Sequence, residues 1–260
     1  MRNLVVEMGL ANPFLMNGVL AVAAIHRARS EAPARRLIYT QAAMRYHDVS
    51  LRLSTPLLKA ITQQNCHTLF ALSCLASVFI FSARRSRMDS KTPSMVDIVA
   101  AFKMIRGTAT VAEYARHWIE SGPLSHLLHV GRQNHPILSG HCAHTLCAQL
   151  DLFDRRIASA NASSSAHGAI RELAHLLRIY LASGDPNAIM SWPVVVEPVA
   201  FDLMLADERV SLIALGFYGA ALRVISGHWW LDGWGGVLDQ LARERLPLED
   251  QALFDIHVQK

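Results

Sequence analysis

Three carboxylates stand in otherwise apolar sequence: Glu197 in Val-Val-Glu-Pro-Val, Asp202 in Ala-Phe-Asp-Leu-Met-Leu, and Asp232 inside a tryptophan-rich block. A carboxylic acid enclosed by apolar side chains keeps its proton near neutral pH and can deliver it to an epoxide or an alkene. Tryptophan faces can then stabilise the cation that develops. Tyr218 and His228 are the nearest candidates for further proton donors or orienting groups. Such chemistry needs no cofactor. Each acid also has a plain structural reading: Asp202 as a solvated helix residue, Glu197 as a first-turn charge favoured by the helix dipole, and Asp232 as a cap for a helix beginning near Trp234.

The rings that could surround such an acid are Trp229, Trp230 and Trp234, together with Trp118, Trp192 and Phe217. If they line a site, at least two of the tryptophans should border a cavity of roughly 300 Å³ or more. Ordinary core packing of large rings is the competing reading. His126, His129, His135, His141 and His144 lie close together with Cys142 and Cys147 interleaved, but no carboxylate joins them locally, so no metal site is expected. The nucleophile elbow, the phosphate-binding glycine loop and the HExxH zinc motif are missing. The glycines of Gly233-Trp-Gly235-Gly236 follow no strand pattern.

The elements that must position these residues read as helices throughout. Proline at a first helical turn opens Pro13 to about Arg29, and a three-four apolar period carries Ala34 to Leu53. Thr55-Pro56 opens a third helix to about Ala83, with Ser54 or Thr55 as its cap, and Arg84 to Thr92 reads as a polar surface loop. Helical patterning runs from Met95 to Ser121 with a break near Arg106-Gly107, and from His141 to Ala160. A serine-rich linker, Ser159 to Ser165, follows. Beyond it come Ile170–Leu181, a short Trp192-Pro193 element, and helices around Phe201, from Ser211 to Ile225 and from Trp230 to Arg245. Only Val194 to Val196 hints at a strand. The expectation is an all-α single helical domain over residues 1–260 with an apolar central pocket.

Composition agrees with a folded chain. Of 260 residues, 52% are hydrophobic and 18% charged, and the mean hydropathy is +0.21, enough apolar surface to offset ordering entropy. The net charge of +4 is too thin to name nucleic acid as a partner. Four cysteines without CxxC spacing point to a reducing compartment, and the N-terminus lacks the order of a signal peptide. The most lipid-like run, Leu69 to Phe81, has 13 residues, short of the roughly 20 that span a bilayer.

Several blocks in order carry a resemblance. Asn12-Pro-Phe-Leu-Met-Asn-Gly18 with VLAVAAIHRA, then YTQAAMRYH from Tyr39 to His47, then Ile61 to Ala71, are similar to the regulatory domain of fungal zinc-cluster transcription factors. Ile105-Arg-Gly107, His117-Trp118-Ile119 with Gly122-Pro-Leu124, Trp192-Pro193 and Trp229 to Gly235 resemble its later blocks, as in the sterol uptake control regulators, so the likeness runs from about residue 9 to 246. It implies an all-helical domain holding a sterol-like ligand in an apolar pocket. Phe217-Tyr218-Gly219 stands where the family commonly has His-Tyr-Ala, and Arg27 enters a usually apolar helix end. The pattern begins within about ten residues of Met1, so on this resemblance the family's six-cysteine DNA-binding module is not expected in this sequence. Two expectations follow. One is a standalone domain turned into a cofactor-free isomerase or cyclase of an apolar fungal secondary metabolite, with an apolar small molecule as partner, no direct DNA contact, no membrane span, a homodimer allowed, and a cytoplasmic location. The other is a non-catalytic, sterol-sensing regulatory domain, nuclear as part of a transcription factor.

Overall fold

The computed structural model describes residues 2–88, 93–128, 140–158, 164–225 and 227–255. Among these there is no strand, and the all-α class expected from the sequence is what the structure shows. By its contacts the chain divides into two compact units, residues 1–91 with 104–129 and residues 92–103 with 130–260.

Unit 1 opens with α1 (Arg2–Ala11) and α2 (Pro13–Ala28). Asn12 separates them because the residue before a proline is pushed to extended backbone, here φ −131° and ψ 94°, and its side-chain Nδ2 donates to the Met8 carbonyl at 2.8 Å. Helix α2 buries Phe14, Leu15, Gly18, Ala21, Ile25 and Ala28, a three-four stripe. Gly18 lets it sit close against its neighbours, since a Cβ there would come within 2.6 Å of Leu72. Helix α3 (Pro33–Ser54) packs beside α2, and the buried Ser50 hydroxyl donates to the Phe14 carbonyl at 2.7 Å.

The third helix differs from expectation. Ser54 ends α3 rather than capping the next helix, and both Ser54 and Thr55 donate back to the Leu51 carbonyl. A 3₁₀ turn at Leu57–Lys59 follows, and α4 begins only at Cys66. Asn65 holds the intervening turn by accepting from the Thr62 amide at 2.8 Å and donating to the Ala60 carbonyl at 3.0 Å, satisfying backbone groups no helix would. Helix α4 (Cys66–Met88) also runs into the stretch read as a loop: residues 84–88 are helical, and 89–92 lie outside the described residues. Its Cys66–Ala83 window is longer than the 13-residue run and is apolar enough to cross a membrane by length and composition, but 72% of it is buried inside the fold.

Helix α5 (Met95–Tyr114) contributes its first half to unit 2 and its second half to unit 1. A reciprocal pair starts it, the Ser94 amide donating to Asp97 at 3.1 Å and the Asp97 amide to the Ser94 hydroxyl at 3.3 Å. The expected break at Gly107 is absent, because one interior glycine costs only about 1 kcal/mol against the rest of a 20-residue helix. Helix α6 (Arg116–Glu120) and a 3₁₀ turn at Ser125–Leu127 complete the unit.

Unit 2 contains α7 (Gly140–Ala158), α8 (Ser164–Ser183), α9 (Pro186–Met190), α10 (Trp192–Val195), α11 (Pro198–Leu205), α12 (Arg209–Val224), α13 (Trp234–Arg243), α14 (Leu248–Gln251) and a 3₁₀ turn at Ala252–Phe254. Ser164 and Ser165 thus open α8, while 159–163 of the expected linker lie outside the described residues. The strand hinted at by Val194–Val196 is mostly the end of α10. Helix α12 is buried on every side from Val210 to Leu222, as a central core helix must be. The Glu208 carboxylate caps it, accepting from the amides of Val210 at 3.1 Å and Ser211 at 2.7 Å. Helices α12 and α13 approach backbone to backbone: a Cβ on Gly235 would stand 2.6 Å from the Gly219 carbonyl oxygen. The helix expected from Trp230 starts later, at Trp234, because Gly227 and Gly233 turn the chain at φ +110° and +82°.

Candidate functional site

The expected site residues of unit 2 fall into a buried set and an exposed set. Trp192 and Tyr218 are fully buried and stacked, with ring centroids 4.5 Å apart at 29°. Phe102 meets both edge-on, at 6.2 Å and 5.8 Å, and Phe201 lies 5.8 Å from Phe102. The Trp192 indole donates to the Ala169 carbonyl at 3.0 Å. The Tyr218 hydroxyl is buried with no hydrogen-bond partner, and burial pushes its pKa upward, so the phenol stays neutral. Phe217 turns instead to Phe153 and Phe254, each 6.1 Å away. Trp234 is buried at the start of α13. These rings are core packing.

Two of the three acids, Asp202 and Glu197, do not have the apolar surroundings their sequence neighbours suggested. On α11 the residues Ala200, Phe201 and Met204 face inward, and the helical period turns Asp202 outward. Its side chain is 63% exposed and accepts from the Lys103 ammonium at 2.8 Å. Glu197 is exposed at the N-terminal boundary of α11 and accepts from the Ser165 hydroxyl at 2.6 Å. Asp232 is half-buried in the turn before α13, whose N-cap is Gly233 and carries no side-chain bond, so Asp232 is not the cap. His228 is half-buried against Trp230, 4.9 Å between rings, and burial pushes its pKa down. Trp229 meets Trp230 edge-on at 5.7 Å, and both are half-buried. Trp118 belongs to unit 1, beside His117 at 4.3 Å.

Sequence reasoning missed a His–Asp pair: His167 on α8 lies 2.6 Å from Asp154 on α7. Ser165, on the same turn, gives its hydroxyl to Glu197 instead. The four cysteines are free thiols, and burial pushes that of Cys74 up to about 11, far from thiolate chemistry. Among the described residues no three His, Cys, Asp or Glu side chains converge as a metal site would require.

Among the described residues, two hollows bear on this question. A cleft of about 650 Å³ in unit 2 is crossed by Arg209, whose guanidinium grips the buried Asp250 carboxylate at 2.5 and 2.6 Å. It is charged. The other, about 390 Å³, is an apolar groove in unit 1 between the end of α3, the 3₁₀ turn, α4 and the second half of α5. Leu51, Leu58, Ile61, Leu72, Met104 and Val111 form half of its lining, and Thr110 borders it on the α5 side. Its mouth is marked by Leu51, Leu58 and Met104, each between 41% and 48% exposed. Ser54 and Ser73 also border it, yet their hydroxyls are spent on the carbonyls of Leu51 and Phe70, so they add little polarity. Gly107 lies on its α5 wall, where a Cβ would meet nothing within 4 Å. Neither hollow is lined by a tryptophan. The groove had a signal in the sequence: Met104, Gly107 and Val111 repeat at helical spacing, and Leu51 and Leu58 flank Pro56.

No curated protein and no solved structure matches the chain. Helices α1 to α4, and with them three of the four walls of the groove, lie within the stretch that a family model does cover. Residues 1–91 match the model of the fungal specific transcription factor domain, which supports a regulatory-type domain of that kind there.

Proposed function

We propose that this chain is a regulatory domain of the fungal transcription-factor type, acting in the nucleus, that takes an apolar small molecule of sterol-like character in the groove of unit 1. The observation that carries this reading is the groove itself: a hollow of about 390 Å³ with mostly apolar lining, built mainly from the stretch that matches the regulatory family. Its size lies in the range of small-molecule sites, and its serine hydroxyls are already satisfied, so it favours a ligand of low polarity. The isomerase or cyclase reading has less support. It asks for an acid kept protonated by apolar surroundings, whereas Asp202 and Glu197 are exposed and hydrogen-bonded.

The test is titration of the chain with a fluorescent sterol, read by emission from the bound probe. Saturable binding is expected, together with a loss of about tenfold or more in Gly107→Leu, whose side chain fills the groove from open space. Equal binding by Gly107→Leu and the unaltered chain, with matching thermal melts, overturns the assignment to this groove.

A further inference from the structure

Helix α3 has a second face that the groove does not use. Its buried residues, Ala43, Ser50 and Ser54, mark the inner side. On the opposite side Ile38, Ala42, Arg45, Val49 and Arg52 recur at three- and four-residue steps, so they form one continuous stripe along the helix. Ile38 is 64% exposed, with Leu37, Tyr46 and Leu53 also open beside the stripe. Ile38, Gln41, Ala42, Arg45 and Tyr46 enclose a shallow hollow of about 290 Å³. The helix carries Arg35, Arg36, Arg45 and Arg52 against a single acid, Asp48, which Arg52 engages at 3.1 Å. Arg45 is exposed and makes no ion pair among the described residues.

We propose that this outer face of α3 docks an amphipathic helix of a partner protein whose apolar stripe is flanked by carboxylates. The spacing is that of a helix-to-helix seam, with apolar side chains as knobs and arginines within the seam itself. Charge decides the occupant. A second copy in parallel register sets Arg45 against Arg45 and Arg52 against Arg52, and the one acid each helix brings, Asp48, is already engaged by its own Arg52. A bilayer requires an unbroken apolar stripe with the cations at its margins, whereas Arg45 and Arg52 interrupt this one. Carboxylates one heptad apart on a partner helix meet both arginines while its leucines reach Ile38 and the Tyr46 ring. This surface is independent of the groove and of what the groove holds.

The probe is a fluorescein-labelled, 21-residue helical peptide with leucine at the seam positions and glutamate beside them, alongside matched peptides carrying glutamine or lysine instead. Anisotropy with the full chain is expected to show binding of the glutamate peptide that weakens with salt. It should fall about tenfold or more for Arg45→Glu, for Ile38→Glu and for the glutamine peptide, and stay unchanged in Gly107→Leu. Thermal melts matched to the unaltered chain confirm that the two exposed-site variants fold. No binding of the glutamate peptide, or equal binding of the lysine peptide, overturns the proposal. So does self-association of the chain that Ile38→Glu abolishes, which assigns the face to a second copy, or an Arg45-dependent affinity for phosphatidylserine vesicles exceeding that for the peptide.

Discussion

The ring of Trp192 lies over that of Tyr218 at 4.5 Å, and the stack leaves the Tyr218 hydroxyl inside unit 2 without an acceptor. A buried hydroxyl without a partner forfeits its hydration for nothing in return, at about 1–3 kcal/mol. Tyr218→Phe is therefore expected to raise the stability of the chain by about 1 kcal/mol, measured by chemical denaturation. A fall in stability would mean that the hydroxyl serves a bound molecule or water, and would reopen this position as part of a site.

The exposed acids give a second expectation. Asp202→Asn removes one surface ion pair, worth about 0.2–1 kcal/mol, and Glu197→Gln keeps an oxygen that can accept from Ser165. Both variants, and Asp232→Asn, should bind the fluorescent sterol as the unaltered chain does. An isomerisation of an apolar metabolite that any of them loses by about 10²–10⁴-fold would instead identify a general acid and displace the regulatory reading.

His47 in unit 1 stacks on Phe79, centroids 4.1 Å apart at 10°, and its Nε2 is buried without a partner. Burial lowers its pKa below the ordinary 6.5, outweighing the upward pull of Asp48. In the window below 6.5 the unfolded chain binds more protons than the folded one, so stability present at neutral pH is lost as pH falls through that window. His47→Phe keeps the stack and removes the proton site. Its unfolding free energy should fall less steeply with acid than that of the unaltered chain, and His228, shifted the same way, should account for part of the slope that remains.

Arg209 and Asp250 close one side of the charged cleft, with Asp250 only 3% exposed. Arg209→Ala leaves that carboxylate buried without its charged donor, and a loss of about 1.5–3 kcal/mol is expected in denaturant unfolding. Replacing Arg209 by Lys should recover part of this, because an ammonium supplies the charge without the two-pronged geometry.

Sequence alone determined the class and the run of helices. The three-four period of α2, the proline at its first turn and the unbroken apolar character of α12 leave the backbone no alternative to helix, since local hydrogen bonds and side-chain spacing are properties of short segments. Tertiary structure decided which side of each helix faced inward. Asp202 sits among apolar neighbours in sequence, yet a turn of 100° per residue carries it to solvent while Phe201 goes to the core. Trp192, expected to wall a pocket, became core instead, because its burial depends on what α8 and α12 bring against it, the Ala169 carbonyl and the Tyr218 ring. The groove between α3, α4 and α5 exists only where segments far apart in the chain fail to close completely, and local propensity does not determine that packing.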